Sequence, residues 1–333
     1  MPKSQSHRFC VAPMMDGTDR HCRYFHRLMS RHARLYTEMI VADAVIHGDR
    51  DRLLGFDPIE HPVALQIGGS DPTKLAEAAR IGAAVGYDEI NLNVGCPSDR
   101  VQSGTFGACL MKTPDLVADC MAAIGEAVDI PATVKCRIGV DDQDPEESLF
   151  TLVDKCAAVG VRVFIVHARK AWLQGLSPKE NREIPPLDYA LVQKLKVSRP
   201  DLTIIVNGGI ETIDQCKEHL DTFDGVMLGR TAYGEPRLLM SVDPLLFGDE
   251  APAADLNAVI DAMDDYLQRA VARGIRANHV VRHMSGLLHG LPHARTWRRL
   301  LSEGGAATDN HVIRRAWAAV EAQKTSLTAD VQS

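Results

Sequence analysis

The sequence predicts a (β/α)8 TIM barrel followed by a smaller all-helical domain. Eight short β-type runs alternate with longer amphipathic segments through residue 228, which favours a barrel built of strand-helix units. The first run ends in APMMDGTD rather than a GxGxxG turn, which disfavours an open doubly wound sheet. At 333 residues, the chain has room for a barrel of roughly 250 residues and a further domain.

Each predicted strand is a short run of apolar and β-branched residues bounded by turn signals. In order, the strands are Phe9–Met14, Arg34–Ile40, Val63–Ile67, Glu89–Val94, Thr133–Ile138, Arg162–Val166, Thr203–Val206 and Gly225–Leu228. Helical patterns separate most of them, and Asp71 is the expected N-cap of the first. These helices are Pro72–Val85, Thr113–Val128, Pro145–Ala158 and Ile213–His219.

The barrel is expected to close near Pro244, because the following segment LLFGDEAPAADL has the composition of a linker. The predicted division is a catalytic barrel over 1–245, a helical domain over 246–323 and a flexible tail over 324–333. Four helices are predicted in the second part: Asp255–Arg273, Ile275–Leu288, His293–Ser302 and Thr308–Ala322.

The composition is that of an ordinary soluble globular protein, with 45% hydrophobic and 24% charged residues. A membrane span and a secretory signal are not indicated, because no run of about 18 apolar residues occurs and the start, MPKSQSHRF, is polar. A cytoplasmic location is therefore expected. The eight cysteines form no CxxC pair and no zinc spacing, so reduced thiols are favoured over a disulfide framework or a metal site.

The net charge of −7 argues against a nucleic-acid partner, but the charge distribution argues for one. No Asp or Glu occurs between Tyr266 and Ser302, and the cations there are all arginines. A solvated helix surface is the alternative interpretation, although such surfaces normally mix signs. The segment predicts a phosphate-contacting face. Its arginines are Arg269, Arg273, Arg276, Arg282, Arg295, Arg298 and Arg299.

The segment DEINLNVGCP, residues 88–97, contains the first candidate for a catalytic residue. Ile90, Leu92 and Val94 alternate with polar residues, and the strand then breaks at a Gly-Cys-Pro turn. Such a turn places the Cys96 thiol at the carboxyl end of a strand, where parallel α/β folds hold their active sites. A buried structural cysteine is the plainer alternative. The glycines Gly104 and Gly107 after it suggest a segment that moves as a lid.

The other strand ends also carry polar residues. VNGG and LGR follow the last two strands, and loops at those places in a barrel commonly bind phosphate through backbone N–H groups, here with Arg230 nearby. Lys135 and His167 lie on neighbouring strands, and a Lys in a barrel mouth requires an anionic or electron-rich partner. A flavin ring or a phosphate would meet this need, with Gln66 at the ring edge and Met14 and Met15 against its face.

These motifs resemble those of the tRNA-dihydrouridine synthases, flavin enzymes that reduce specific uridines of tRNA. The resemblance covers essentially the whole chain, and no motif position departs from it. Residues 169–189, RKAWLQGLSPKENREIPPLDY, are similar to the subfamily acting on positions 20 and 20a of the D loop. The motifs are APMMDGTD (12–19), TEMI (37–40), LQIGG (65–69), NLNVGCPS (91–98), KCRIG (135–139), VHAR (166–169), NGGI (207–210) and MLGR (227–230).

The resemblance also implies roles for individual residues. Cys96 would be the catalytic acid, and Asn93 and Arg137 would hold the flipped uracil. tRNA contacts would fall at Lys179, Arg182, Arg295 and Arg298. The residues implied to contact FMN are Pro13, Met14, Met15, Gln66, Lys135, His167, Asn207, Gly208, Gly209, Gly229 and Arg230.

The implied reaction uses NADPH, or alternatively NADH, to reduce FMN, which delivers hydride to uracil carbon 6. Protonation of carbon 5 requires an acid on the opposite face of the base, and a cysteine thiol, ordinarily with a pKa of about 8.5, is largely protonated at neutral pH. A uridine within the folded D loop must be extruded to reach a barrel mouth, while Arg and Lys hold the surrounding phosphates. The expected partner is tRNA; no metal, membrane or protein partner is indicated, and a monomer is expected.

Two other functions remain open from the sequence. A flavin barrel that reduces a free pyrimidine, as dihydroorotate and dihydropyrimidine dehydrogenases do, would share the barrel and an active-site cysteine but has no use for the arginine-rich segment. A non-catalytic RNA-binding protein would purify colourless, whereas a flavoenzyme would be yellow.

Overall fold

The structure is a computed structural model that describes residues 5–98, 106–307 and 309–331, with side chains described through residue 323. All its strands are parallel, and they follow one another around a closed barrel in which β2 pairs with both β1 and β4. The strands are β1 (Phe9–Val11), β2 (Arg34–Tyr36), β3 (Ile40–Val41), β4 (Val63–Gly68), β5 (Glu89–Val94), β6 (Ala132–Arg137), β7 (Val163–His167), β8 (Thr203–Asn207) and β9 (Gly225–Leu228).

Helices connect these strands, which confirms the predicted TIM barrel. The α-helices of the described residues are α1 (Arg20–Arg27), α2 (Ala42–His47), α3 (Arg50–Leu54), α4 (Pro72–Val85), α5 (Pro114–Ala127), α6 (Pro145–Ala158), α7 (Tyr189–Ser198), α8 (Ile213–Leu220), α9 (Arg230–Gly234), α10 (Leu256–Ala272), α11 (Ala277–Val281), α12 (Ala294–Ala306) and α13 (Val312–Val331). Short 3-10 helices occur at Pro58–Glu60, Gly107–Lys112, Glu180–Arg182, Pro236–Ser241 and Arg282–Met284, and a π-helix at Asp243–Phe247.

Local sequence signals set most of these boundaries. The Asp71 carboxylate accepts hydrogen bonds from the N–H groups of Thr73 and Lys74, as an N-cap does, and α4 has the predicted bounds. The predicted strand Arg34–Ile40 is instead divided into β2 and β3. Between them, the Thr37 hydroxyl accepts a hydrogen bond from the Gln66 N–H and donates one to the Glu38 carbonyl, so the chain leaves the ladder there.

The chain divides into two compact units, and the division differs from a cut after residue 245. The barrel unit holds the described residues through Thr18 together with Ala33–Gly229. The helical unit holds Asp19–His32 and the described residues from Arg230 onward. Helix α1 belongs to the helical unit because its Tyr24 ring stacks on Tyr266 of α10, with ring centroids 4.0 Å apart.

Of the helices predicted for the helical unit, Asp255–Arg273 is found within one residue at each end. Helix α12 runs past the predicted end at Ser302, and α13 begins at Val312 and runs past the predicted end at Ala322. The prediction of a helix over Ile275–Leu288 is wrong. Only Ala277–Val281 is α-helical there, and a 3-10 helix follows. Gly286 lies beyond that 3-10 helix, and a Cβ at this position would lie 2.2 Å from the Gly234 carbonyl oxygen. Helix α13 continues to Val331, so its backbone includes most of the segment 324–333, whose flexibility stays a prediction.

Small and medium apolar side chains and one tyrosine form a packed cluster inside the barrel, which also encloses buried polar side chains. The members of the cluster are Cys10, Ala12, Tyr36, Ala64, Ile165, Ile205 and Met227. All eight cysteines are free thiols. Among the described residues, no helix combines the length and apolar character needed to cross a membrane.

Candidate active site at the carboxyl ends of the barrel strands

Cys96 follows β5 in a turn that Asn93 holds. The Asn93 side-chain oxygen accepts hydrogen bonds from the N–H groups of Gly95 and Cys96, at 3.1 and 3.0 Å. The Cys96 carbonyl accepts one from Ala108, at 2.9 Å. The Cys96 thiol is partly exposed and lies 3.5 Å from the Ser98 hydroxyl, so it can reach a group in the mouth.

The segment predicted to act as a lid is only partly described. Gly104 lies outside the described residues. Gly107 begins a 3-10 helix that ends at Lys112, with a left-handed φ of 72° at the glycine. The lid therefore stays a prediction.

Lys135, near the end of β6, is a cation with only a neutral partner. Its ammonium group donates to the Asn207 side-chain oxygen at 3.1 Å, and the Asn207 amide in turn donates to the Met227 carbonyl at 2.7 Å. No carboxylate among the described residues pairs with Lys135. Burial, reinforced by the charge of Arg137, lowers the pKa of Lys135 to about 8. The ammonium form predominates at neutral pH, and an electron-rich ligand would stabilise it further.

His167, at the end of β7, presents a neutral imidazole. Burial, and then the charges of Arg137 and Lys135, hold its pKa well below the usual value. Its Nε2 atom is buried and has no hydrogen-bond partner among the residues that the structure describes. Unpaired buried polar atoms are uncommon in folded proteins, so this nitrogen is available to a ligand.

The NGG turn after β8 passes close to this histidine, so that only glycine fits there. Gly208 and Gly209 have φ angles of 108° and 72°, in the left-handed region that glycine favours. A Cβ on Gly208 would lie 2.8 Å from His167 Nε2, and one on Gly209 would lie 2.5 Å from the Leu187 side chain. Within the described part of the chain, neither glycine N–H makes a hydrogen bond. The turn thus offers bare N–H donors, as phosphate-binding loops do.

Arg137, at the end of β6, forms hydrogen bonds with loops at the mouth of the barrel. Its side chain is buried, and its Nε donates to the Gly95 carbonyl, while its Nη1 donates to the carbonyls of Lys170 and Asn181, at 2.9 and 2.8 Å. Burial lowers its pKa to about 10, so it remains charged at neutral pH. The N–H groups on Nη2 have no hydrogen-bond partner among the described residues, which leaves them for the predicted uracil contact.

The side chains of Gln66 and Asn93 form a hydrogen bond with each other. The Asn93 Nδ2 donates to the Gln66 Oε1 at 2.8 Å, and the Gln66 Nε2 donates to Asn91 at 2.7 Å. Each amide nitrogen keeps a second hydrogen. Contacts of Gln66 with a flavin and of Asn93 with uracil stay predictions.

The turn after β1 carries Pro13, Met14 and Met15. The N–H of Met14 is anchored by the Thr18 hydroxyl at 3.0 Å. The Met14 sulfur lies beside Gly229, at 3.7 Å from an ideal Cβ there, whereas the Met15 side chain is 60% exposed. Pro13 is partly buried. The structure therefore brings Met14 and Gly229 together, while Met15 extends into solvent.

The predicted tRNA-contacting residues are distributed over both units. Lys179 and Arg182 are exposed beside a short 3-10 helix of the barrel unit. Arg295 and Arg298 lie on α12 of the helical unit. Arg230, which was predicted to contact FMN, begins α9 directly after Gly229 of the barrel unit. Their roles stay predictions.

The arginine-rich segment is partly neutralised by carboxylates. Arg282 pairs with Asp19 at 2.7 Å, and Arg299 pairs with Glu303 at 2.9 Å. The density of arginines in sequence therefore overstates the positive charge available to a polyanion.

Sequence reasoning missed two residues that organise the mouth. Asn181 is fully buried, and its side chain forms hydrogen bonds with the backbone of Trp172 and Leu176. Its backbone carbonyl accepts a hydrogen bond from Arg137. The Tyr189 hydroxyl donates to the Gly208 carbonyl. No local pattern singles out a lone Asn or Tyr in a loop, so neither could be found without the fold.

A parallel barrel that gathers a thiol, an ammonium, an unpaired imidazole and bare glycine N–H groups at one end defines a TIM-barrel enzyme with a site for an anionic, electron-rich ligand. Comparison with known proteins identifies the enzyme family to which the chain belongs. The family model described as "Dihydrouridine synthase (Dus)" matches residues 10–324.

Curated relatives carry the printed name tRNA-dihydrouridine(20/20a) synthase. The chain is 55% identical to one from Escherichia coli K12, covering 93% of this chain and 91% of the relative. It is 56% identical to one from Vibrio vulnificus, covering 90% and 92%, and 54% identical to one from Salmonella typhimurium, covering 95% and 97%.

The chain belongs to the dihydrouridine synthase family. Enzymes of this family reduce uridine to dihydrouridine, which makes the chain an oxidoreductase and confirms the family resemblance seen in its motifs.

Proposed function

We propose that this protein reduces uridines 20 and 20a in the D loop of tRNA to 5,6-dihydrouridine, using FMN at the barrel mouth and NADPH as reductant. The observation that carries the proposal is the convergence of Cys96, Lys135 and His167 at the carboxyl ends of β5, β6 and β7. The names of the curated relatives support the substrate and the positions. A cytoplasmic location follows from the proposal, because the substrate is found there.

The residues present fit FMN. The unpaired His167 Nε2 and the bare N–H groups of Gly208 and Gly209 suit its phosphate, and the Lys135 ammonium suits the electron-rich edge of its ring. When bound, reduced FMN supplies a hydride to the uracil ring.

The chain's own residues would perform the remaining tasks. Cys96 Sγ holds the proton for uracil carbon 5, and Asn93 fixes the turn on which that thiol is carried. Arg137 Nη2 and the free amide hydrogen of Asn93 offer donors to the uracil carbonyl oxygens. The helical unit would hold tRNA phosphates through Arg295 and Arg298.

The test is to incubate the purified protein with NADPH and an unmodified tRNA transcript, and then map D-loop uridines by mass spectrometry. We expect a gain of two hydrogens at positions 20 and 20a. Reduction of free pyrimidines in preference to tRNA would instead support the small-molecule reductase. A colourless protein that binds tRNA without reducing it would support the non-catalytic alternative.

The affinity of the protein for FMN should fall as pH rises through about 8, because Lys135 then loses the proton that the bound ring stabilises. The phosphate of FMN, with a second pKa of about 6, does not titrate in that range. We expect the dissociation constant to rise by up to about tenfold per pH unit above this point. Fluorescence titration of the FMN-free protein measures it.

Lys135→Met is the matched control for this pH dependence. Its affinity should already be weak at neutral pH and should change little with pH, because the methionine has no proton to lose. A wild-type affinity that is equally flat would exclude contact between this ammonium and the cofactor.

Replacing Arg295 and Arg298 together with alanine should weaken tRNA binding and its dependence on salt. Each lost phosphate contact should reduce the slope of log affinity against log salt by about 0.7–0.9. Arg299→Ala on the same helix is the control, because Arg299 is already paired with Glu303. NADPH oxidation by bound FMN without tRNA should equal that of wild type in both variants; a slowed rate would contradict this division of tasks.

A further inference from the structure

A continuous line of side-chain hydrogen bonds runs inside the barrel, from a buried carboxylate to the turn that carries Cys96. It joins alternate residues of β5 to facing residues of β4 and β6, which the strand register brings together. In order from the carboxylate, its members are Glu89, Thr133, Asn91, Gln66 and Asn93, and it ends on the N–H groups of Gly95 and Cys96.

Glu89 begins the line at the start of β5. It is fully buried and accepts hydrogen bonds from Tyr36 at 2.8 Å and Thr133 at 2.6 Å, with His7 at 2.7 Å and Arg34 at 3.3 Å. Burial alone would raise its pKa, but His7 and Arg34 outweigh burial and lower it to about 2. Glu89 is therefore ionised at neutral pH and can only accept hydrogen bonds.

That charge fixes the direction of every later bond. Thr133 has one hydroxyl proton and donates it to Glu89, so its oxygen must accept from the Asn91 amide at 2.8 Å. The Asn91 oxygen then faces Gln66 and accepts its amide proton at 2.7 Å. The Gln66 oxygen is left to accept from Asn93 at 2.8 Å.

The other end of the line requires the same direction independently. Backbone N–H groups can only donate, and those of Gly95 and Cys96 both point to the Asn93 oxygen. Asn93 must then present its amide nitrogen to Gln66. Because the carboxylate and the backbone impose the same direction, the amides of Asn91, Gln66 and Asn93 each have one satisfied orientation.

We propose that Glu89, Thr133 and Asn91 are positioning residues, which act through Gln66 and Asn93 to hold the Cys96 turn and the amides of the mouth in one arrangement. None of the three reaches the mouth itself. The inference rests on the proposed function for its catalytic consequence, but its structural content concerns the turn alone. A role limited to barrel packing would depend on the shape of these side chains and not on their hydrogen bonds.

Thr133→Val separates shape from hydrogen bonding. Valine matches threonine in shape, but it leaves the Asn91 amide without an acceptor and disconnects Glu89 from the line. Thr133→Ser keeps the hydroxyl and removes only a methyl group, so it is the matched control. If the valine variant does not fold, as judged by circular dichroism, Thr133→Ala takes its place in the same comparison.

The first readout needs no tRNA. The protein as purified is treated with iodoacetamide, and modification of Cys96 is followed by peptide mass spectrometry. We expect Thr133→Val to be modified at Cys96 several-fold faster than wild type, with a shifted FMN absorption spectrum, because the turn and Gln66 are no longer held. Thr133→Ser should match wild type in both measurements.

The second readout is turnover on tRNA. Misplacement of a catalytic group by about 1 Å can cost roughly 100-fold in rate, so we expect a loss of tenfold or more for Thr133→Val, and about wild-type turnover for Thr133→Ser. The proposal would be overturned if Thr133→Val had the same rate of Cys96 modification and the same FMN spectrum as wild type. Equal defects in the serine and valine variants would also overturn it. If the turn loosens but wild-type protein does not act on tRNA, the proposed function fails and the positioning line stands.

Discussion

Replacing Cys96 with alanine should lower the turnover of uridine reduction by roughly 10²–10⁴-fold, the range over which a positioned acid contributes. The thiol is a partly exposed proton donor on the turn after β5. Alanine removes the proton source but leaves the backbone bonds from the turn to Asn93 in place. FMN should therefore remain bound, since its proposed contacts lie elsewhere in the mouth.

Three measurements distinguish this loss from a general defect. The FMN content of Cys96→Ala and its reduction by NADPH should equal those of wild type, while formation of dihydrouridine stalls. Cys96→Ser is the control for size, and it should also be slow because a hydroxyl is a much weaker acid than a thiol. Full turnover by the alanine variant would remove the acid role from Cys96.

Gly225→Ala should prevent the barrel from closing properly. An added Cβ at the first residue of β9 would lie 2.0 Å from the His7 carbonyl oxygen and 3.1 Å from Ile205. The chain runs close here because Val226 N–H bonds to the Arg8 carbonyl at 3.1 Å, where β9 meets β1. Neither backbone can move away without breaking the pairing of β9 with β1, so we expect the free energy of unfolding to fall by on the order of 3 kcal/mol or more.

Gly125→Ala is the matched control in the same unit. Gly125 is exposed on α5, and an added Cβ there would meet no atom within 4 Å. Alanine in a helix interior should stabilise by about 0.5–1 kcal/mol. Thermal unfolding of both variants tests the pair; a wild-type melting temperature for Gly225→Ala would contradict the close approach described above.

The sequence was sufficient for the barrel because its signals are local. Glu89–Val94 and Gly225–Leu228 have their predicted bounds, since short apolar runs between turn residues define barrel strands. The break of Arg34–Ile40 was missed because it depends on a contact with a residue distant in sequence, the hydrogen bond between Thr37 and Gln66. The shortness of the helix at Ala277–Val281 was also missed.

The candidate site was predicted as a set of residues rather than as an arrangement. Lys135, His167 and Cys96 were recognised at strand ends, and the structure places all three there. Their contacts could not be read from the sequence, because they depend on the register between strands. That Glu89, Asn91 and Asn93 are alternate residues on a barrel strand was a usable signal, since such residues face the same interior.

The guanidinium of Arg137 links the movements of two loops, the turn after β5 and the segment after β7. It ties the Gly95 carbonyl, beside the thiol, to carbonyls of Lys170 and Asn181 in the segment after β7. Any movement that widens the entrance beside Cys96 must either carry this segment along or give up part of the tether. Opening of this entrance thus depends in part on one side chain, and a lysine, whose single nitrogen cannot span the same carbonyls, would remove the connection between the two loops.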